Sequence, residues 1–158
     1  MAIEVTVSKT KPMMVAFVSR KGPYSQLGET FPKLYDWLRE KGYEPAGPPS
    51  GVYFNSPGQV PPEELLWEIR CPIGGDVEPS GPDERGFGVK RVEGVEVACT
   101  MHKGPFDQVG PVYGELVGWI MENGYEIAGP SEEVYLTDPA NTSPEELLTE
   151  VRFPVKKK

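Results

Sequence analysis

Two acidic residues carry most of the chemistry this sequence suggests. Glu68 and Glu150 each stand two residues before an arginine, Arg70 and Arg152, inside strings that nearly repeat one another, Glu63 to Ile73 and Glu145 to Val155. In a strand, side chains two apart share a face. Each Glu and its Arg then point one way, while Ile69 and Cys71, or Val151 and Phe153, point the other. A carboxylate on the inner face of a sheet is either a charge neutralised by its neighbours, which fixes register, or the polar centre of a binding site. As a binding centre, desolvated and walled by aromatic rings, it holds a cationic ligand; with its pKa raised by burial it acts as a base or positions a nucleophile.

Aromatic residues that could wall such a site recur in pairs. Tyr53 and Tyr135 lie on short strands, where a phenol either lines a cleft or covers the core with its hydroxyl in water. Tyr24 and Phe106 follow Gly-Pro turns and are placed to rim a cleft. Trp37 and Trp119 lie at the edge of helical stripes, where core packing is the simpler role. Trp67 breaks the pairing, because Thr149 is its counterpart; by strand parity it points away from Glu68, toward the core. His102 is the sole histidine, and with no second ligand beside it the plain reading is a surface strand end rather than a metal or haem ligand. Met13, Met14, Met101 and Met121 fill the core or give a pliable lining.

The elements that position these residues follow from pattern. Ile3, Val5 and Val7 alternate with polar residues as in a half-buried strand, and Pro12 separates them from a second strand, Met13 to Arg20. After Lys21-Gly22-Pro23-Tyr24, the residues Leu27, Phe31, Leu34, Tyr35 and Leu38 form one helical stripe ending at Lys41, with Gly42 as C-terminal cap. Pro32 falls inside the stripe and is expected near the helix start, where a missing donor costs little. Gly47 to Gly51 turns the chain into the short run Val52-Tyr53-Phe54, and a hairpin leads to a strand ending at Pro72. Ser143-Pro144-Glu145-Glu146 has the local look of a helix start, but the following residues alternate, which favours a turn and then a strand from Leu147.

The whole pattern returns 82 residues on without a gap. Lys21-Gly22-Pro23-Tyr24 becomes Lys103-Gly104-Pro105-Phe106, Trp37 becomes Trp119, Gly42-Tyr43 becomes Gly124-Tyr125, and Pro57 becomes Pro139. The chain is a duplication: repeat 1 over about 1–73, a turn-rich connector at 74–86, and repeat 2 over about 87–155. Each copy reads strand, helix, strand, strand. One such unit cannot bury its helix and both sheet faces, so the expected fold is α+β, a tandem module with antiparallel sheets, pseudo-twofold symmetry and a cleft between the halves.

Length and charge exclude several classes. A chain of 158 residues is large enough for a core of its own. Cys71 and Cys99 sit at different repeat positions without metal-ligand spacing, so they are expected as free thiols and no metal is implied. A formal net charge of −8 opposes direct nucleic-acid binding, and the basic Lys156-Lys157-Lys158 end reads as a solvated terminus. Neither a leader nor an apolar run long enough for a membrane is legible, and the expected compartment is cytoplasmic.

Three strings together resemble the GyrI-like family, the effector-binding domains also found at the C-terminus of AraC-type and MerR-type multidrug-responsive regulators. They are Gly104-Pro105-Phe106 after a strand, the Trp119 helix with Gly124-Tyr125, and Tyr135 through Pro139 leading to Glu150 and Pro154-Val155. The resemblance spans about Val5 to Val155. It implies a duplicated α+β module whose cleft accepts apolar, often cationic or planar, small molecules around an acidic residue on the last strand of the second half. Glu150 is the matching position. Because both halves keep Glu-x-Arg, Glu68 competes for that role.

The expectation is a stand-alone domain without a DNA-binding helix-turn-helix and without a cofactor. It binds hydrophobic or cationic small molecules through Glu150, Glu68, Tyr135, Tyr53, Phe106, Tyr24, Trp119 and Trp37, for sequestration, sensing or detoxification. The resemblance also implies two rivals: hydrolysis of reactive cyclopropane-type toxic compounds with Glu150 as the catalytic carboxylate, and a protein-interaction role as a DNA gyrase modulator.

Overall fold

A computed structural model describes residues 3–138 and 141–158; Pro139, the end of one of the strings above, lies outside them. Among the described residues the chain forms nine strands and two α-helices, with antiparallel pairing throughout. The fold class is therefore α+β. It divides into two compact units: Pro12–Glu93, and residues 94–158 together with the N-terminal segment up to Lys11.

The Pro12–Glu93 unit contains β2 (Met13–Lys21), α1 (Leu27–Lys41), β3 (Ser50–Tyr53), β4 (Leu66–Pro72) and β5 (Phe87–Val92), its strands ordered β3-β4-β2-β5. Register puts Ala16, Val18, Trp67, Ile69, Cys71, Phe87 and Val89 on one face, and these pack with Leu34, Trp37 and Leu38 of α1 in one buried cluster. The period-3.6 stripe of α1 thus meets the period-2 stripe of the sheet. Leu34 and Leu38 are fully buried, so truncating either to Ala removes about 2–5 kcal/mol. Gly42 closes α1 in the left-handed region (φ 74°) and donates to the Arg39 carbonyl at 3.3 Å. A 3₁₀ turn over Tyr24–Gln26 precedes α1. Pro32 is therefore the sixth helical residue, past the first turn where sequence reasoning puts it, and one intrahelical bond is missing there.

The other unit contains β1 (Thr6–Lys9), β6 (Glu96–Lys103), α2 (Gly110–Glu122), β7 (Tyr125–Ile127), β8 (Ser131–Tyr135) and β9 (Leu148–Lys157), ordered β1-β6-β9-β8, with β7 on the far end of β9. Ala98, Val151 and Val155 form its core with Leu116 and Ile120 of α2. Both Pro-Glu-Glu segments are single 3₁₀ turns leading into strands, β4 and β9. Alternation outweighs the local helix-start signal in both copies.

Two features depart from the sequence pattern. The opening strand of each repeat joins the other repeat's partners: β1 pairs with β6, and β5 pairs with β2. The compact units therefore cut across the repeats. The second is the C-terminal lysines, whose side chains are exposed as expected but whose backbone is paired. Lys156 and Lys157 belong to β9, in register with Glu126 and Tyr125. Pro154 has no N–H, but its carbonyl accepts from Ala128 at 2.7 Å, which carries β9 past the proline to a new partner, β7. No helix among the described residues is long and apolar enough to cross a membrane.

Candidate functional site

Glu68 and Glu150 occupy equivalent strand positions in unlike surroundings. Glu68 is 3% exposed. Arg70 Nε lies 2.5 Å from one carboxylate oxygen, Lys90 Nζ donates to the other at 2.8 Å, and Ser19 Oγ donates to it at 3.3 Å. A buried carboxylate with two cations and a hydroxyl is neutralised where it stands, and removing any partner leaves charge uncompensated. Among the described residues Glu150 has only Arg152 in bridging range, at 3.6 Å, and its side chain is 29% exposed. The repeat offset explains the difference: Lys90 and Ser19 correspond to Ser8 and Met101, so Glu150 lacks the second cation and the hydroxyl. Arg152 is shared with Glu132 at 3.3 Å.

Register places Glu150 and Arg152 with Cys99 and Met101, and Val151, Phe153 and Ala98 on the opposite face toward the α2 core. That core-side face carries a different carboxylate, Glu133 of β8, in register with Val151. Tyr113 of α2 and Tyr135 of β8 donate their hydroxyls to its two oxygens, the second at 3.2 Å. Among the described residues no Lys or Arg forms an ion pair with Glu133. Burial pushes its pKa above the ordinary carboxylate range, against the opposing pull of the two phenols and of His102.

Further side chains complete the cluster. Phe106 meets Tyr135 edge to face, centroids 5.6 Å apart. Tyr135 is in register with Thr149, and Thr149 with His102. Thr149 is fully buried, and its Oγ1 has no hydrogen-bond partner among the described residues. His102 is 8% exposed rather than a surface strand end. Its Nε2 lies 2.9 Å from the Pro105 carbonyl, so the ring donates there as the Nε2–H tautomer. A carboxylate without a cationic partner, among phenols and a phenyl ring, is suited to hold a cation or to exchange a proton with a neighbouring hydroxyl.

The remaining aromatic candidates divide between the units. Tyr24 and Tyr53 repeat the Phe106–Tyr135 pair in the Pro12–Glu93 unit, centroids 5.3 Å apart, with Tyr24 Oη donating to the Asn55 carbonyl at 3.3 Å. Gly51 stands where the other repeat has Glu133, so this pair flanks no carboxylate of that kind. Trp37 stacks on Phe87 in the core, and Trp119 stacks on Tyr125. Trp67 is 1% exposed and its Nε1 donates to the Gly22 carbonyl at 2.9 Å, so its parity places it in the core as expected. Met101 and Met121 are exposed, as is Met13. Burial raises the pKa of both Cys71 and Cys99, and for Cys99 the nearby Glu150 adds to it, so neither thiol is primed as a nucleophile. No group of three His, Cys, Asp or Glu among the described residues is arranged to hold a metal ion.

Glu133 and Tyr113 were legible only through departures from the repeat. Glu133 replaces Gly51, Tyr113 replaces Phe31, and Thr149 replaces Trp67.

The family model of the GyrI-like small molecule binding domain matches residues 4–156. A protein of Erwinia billingiae (strain Eb661) named DNA gyrase inhibitor is 30% identical over 131 residues, 82% of this chain and 81% of that protein. The crystal structure of the EcmrR C-terminal domain matches at TM-score 0.86 and 19% identity, covering 100% of both chains. Against the longer EcmrR chain of an EcmrR–DNA complex, this chain spans 59% of the length, at TM-score 0.86 and 18% identity. A hydrolase from Listeria innocua matches at TM-score 0.74 and 19% identity, over 98% of this chain and 93% of that one. At such identities the structural likenesses concern the fold. With the family match over nearly its full length, this chain belongs to the GyrI-like small-molecule-binding domain family.

Proposed function

We propose that this domain binds hydrophobic monocations, with Glu133 as the charge partner and Tyr113, Tyr135 and Phe106 as the surrounding phenols and ring. The observation that supports this reading is the carboxylate itself: Glu133 is partly buried, holds two phenolic hydrogen bonds and forms no ion pair among the described residues. An incoming cation supplies the missing countercharge, and aromatic faces replace its hydration. Glu68 already has two cations, and Glu150, itself partly buried, is paired with Arg152. On this reading Glu68 and Glu150 are register-fixing charges.

Calorimetric titration with tetraphenylphosphonium, a hydrophobic monocation, tests the assignment. Glu133→Gln is expected to weaken binding at least about tenfold, the worth of one charge-assisted contact, while Glu150→Gln stays within about threefold of the wild type. A larger loss in Glu150→Gln would move the centre to that residue. Absence of saturable binding in the wild type would sink the reading.

A second reading is favoured by one contact. A phenol hydrogen-bonded to a carboxylate of raised pKa is an acid–base pair, so Tyr113 and Glu133 are placed to protonate a strained leaving group or activate water in a hydrolase. Turnover of each bound compound, measured by mass, separates holding from hydrolysis. Binding to DNA gyrase, suggested by the name of the Erwinia relative, is tested by the effect of the purified domain on supercoiling.

A further inference from the structure

A concavity lies wholly within the Pro12–Glu93 unit and involves none of the residues around Glu133. It measures about 460 Å³, within the range of small-molecule sites. Its apolar walls are Phe17, Pro79 and Pro82, and its polar groups are Ser19, Glu68, Ser80 and Lys90. Glu68 and Lys90 come from β4 and β5, on either side of β2.

The charge balance sets the sign of the ligand. Glu68 is paired with both Arg70 and Lys90, so one carboxylate faces two cations and the cluster carries an excess positive charge. Arg70 is 17% exposed, whereas the Lys90 side chain is 36% exposed and faces the concavity. The ammonium has three N–H donors, and Glu68 takes it at 2.8 and 2.7 Å on its two oxygens. A third donor direction remains. Lys90 Nζ also sits 4.5 Å from the centroid of Phe17, which holds it over the apolar wall.

The opposite wall is fixed by the backbone rather than by packing. Ser80 N donates to the Val89 carbonyl and Val89 N to the Ser80 carbonyl, both at 2.9 Å, which ties the Pro79–Pro82 stretch to β5. A Cβ on Gly88 would come within 2.5 Å of the Ser80 carbonyl and 2.7 Å of the Phe17 ring, so a side chain there would force the two walls apart. The glycine permits the close approach.

We propose that this concavity is a site for a small aromatic carboxylate, whose anionic group is held by Lys90 and whose ring lies along the Pro79–Pro82 wall. It differs from the Glu133 cluster in unit, in lining residues and in the sign of the ligand's charge. A buried carboxylate beneath the lysine holds the ammonium in position before any ligand arrives, which lowers the ordering cost of binding.

The experiment is calorimetric titration of the full chain with sodium benzoate, alongside amide chemical-shift mapping of the wild type. Benzoate is expected to bind saturably, with shifts centred on Ser19, Ser80 and Lys90. Lys90→Gln should weaken it at least about tenfold, Lys90→Arg should stay within about threefold, and Glu133→Gln should leave it unchanged. Absence of saturable binding, shifts centred on Glu133 and Tyr135, or equal affinity in Lys90→Gln would each overturn the proposal. Should Lys90→Gln fail to fold, the mapping of the wild type decides alone.

Discussion

Tyr113, on the helix α2, donates its hydroxyl to Glu133 on the strand β8, and so ties that helix to a partly buried carboxylate of raised pKa. Its counterpart Phe31 has no hydroxyl to give, and Glu133's counterpart is Gly51. Donor and acceptor thus occur together in one copy of the duplication and are both missing from the other. On the proposed function, the pair makes ligand binding depend on pH in a defined sense.

If Glu133 binds cations only when ionised, affinity for tetraphenylphosphonium rises with pH up to the elevated pKa of Glu133 and is flat above it. Below that pKa it falls about tenfold for each pH unit, with one proton released per cation bound. Tyr113→Phe removes a bond that favours the ionised form, so the break in the curve moves to higher pH. Titrations in buffers of different ionisation heat report the proton directly. A pH-independent affinity in the wild type would contradict the role given to Glu133.

The same residue affects the stability of the free protein. A carboxyl whose folded pKa is raised binds its proton more tightly in the native state; its stabilising contribution is complete below the unfolded pKa, about 4.3 for Glu, and is lost as pH rises through the folded value. Wild type should therefore lose stability over the window just above the ordinary Glu pKa. Glu133→Gln should lack that loss and equal or exceed wild type at neutral pH. Urea midpoints measured across this range for both proteins give the comparison.

Strand parity alone was enough to send Trp67 to the core and Glu68 to the other face, and the repeat offset was enough to recover the strand, helix, strand, strand order of each copy, though that order leaves out the extra leading strand, β1 or β5, and β7. What parity does not contain is which face each helix covers, and that decides which carboxylate meets aromatic hydroxyls. Glu68 and Glu150 were singled out by their repeated string, and Glu150 also by the family resemblance, so a reading from shared positions passes over a carboxylate present in one copy alone. Glu133, absent from the first copy, carries the departure. Likewise the lysine run at the end looked like a tail, because no local pattern announces a three-residue partner strand such as Tyr125–Ile127.

That partner makes truncation informative. Removing residues 156–158 deletes the register of Lys157 with Tyr125 and Lys156 with Glu126, and the bond from Lys158 N to the Gly124 carbonyl at 3.0 Å. Tyr125 stacks on Trp119 of α2, so β7 also braces the helix that presents Tyr113. The truncated chain should lose about 1–3 kcal/mol in urea unfolding, the net worth of two or three backbone hydrogen bonds. A solvated tail predicts no change.

Asp83 gives a local reading of the wall that closes the proposed carboxylate site. Its Oδ1 accepts from Arg85 N at 2.8 Å and Phe87 N at 3.0 Å, while its own N–H donates to the Phe87 carbonyl at 2.8 Å. Those bonds, with the Phe87 amide foremost, hold its pKa below the usual carboxylate range. A depressed pKa stabilises the turn above the unfolded value and loses that effect as pH falls through the folded one. Asp83→Ala should therefore speed amide exchange at Arg85 and Phe87 near neutral pH, with smaller changes in the α1 core, because opening is confined to the segment the carboxylate ties down. Benzoate affinity should fall with it, since Ser80 and Pro82 lie just ahead of that turn. Unchanged exchange at Phe87 would show that the Ser80–Val89 bonds hold the wall without the aspartate.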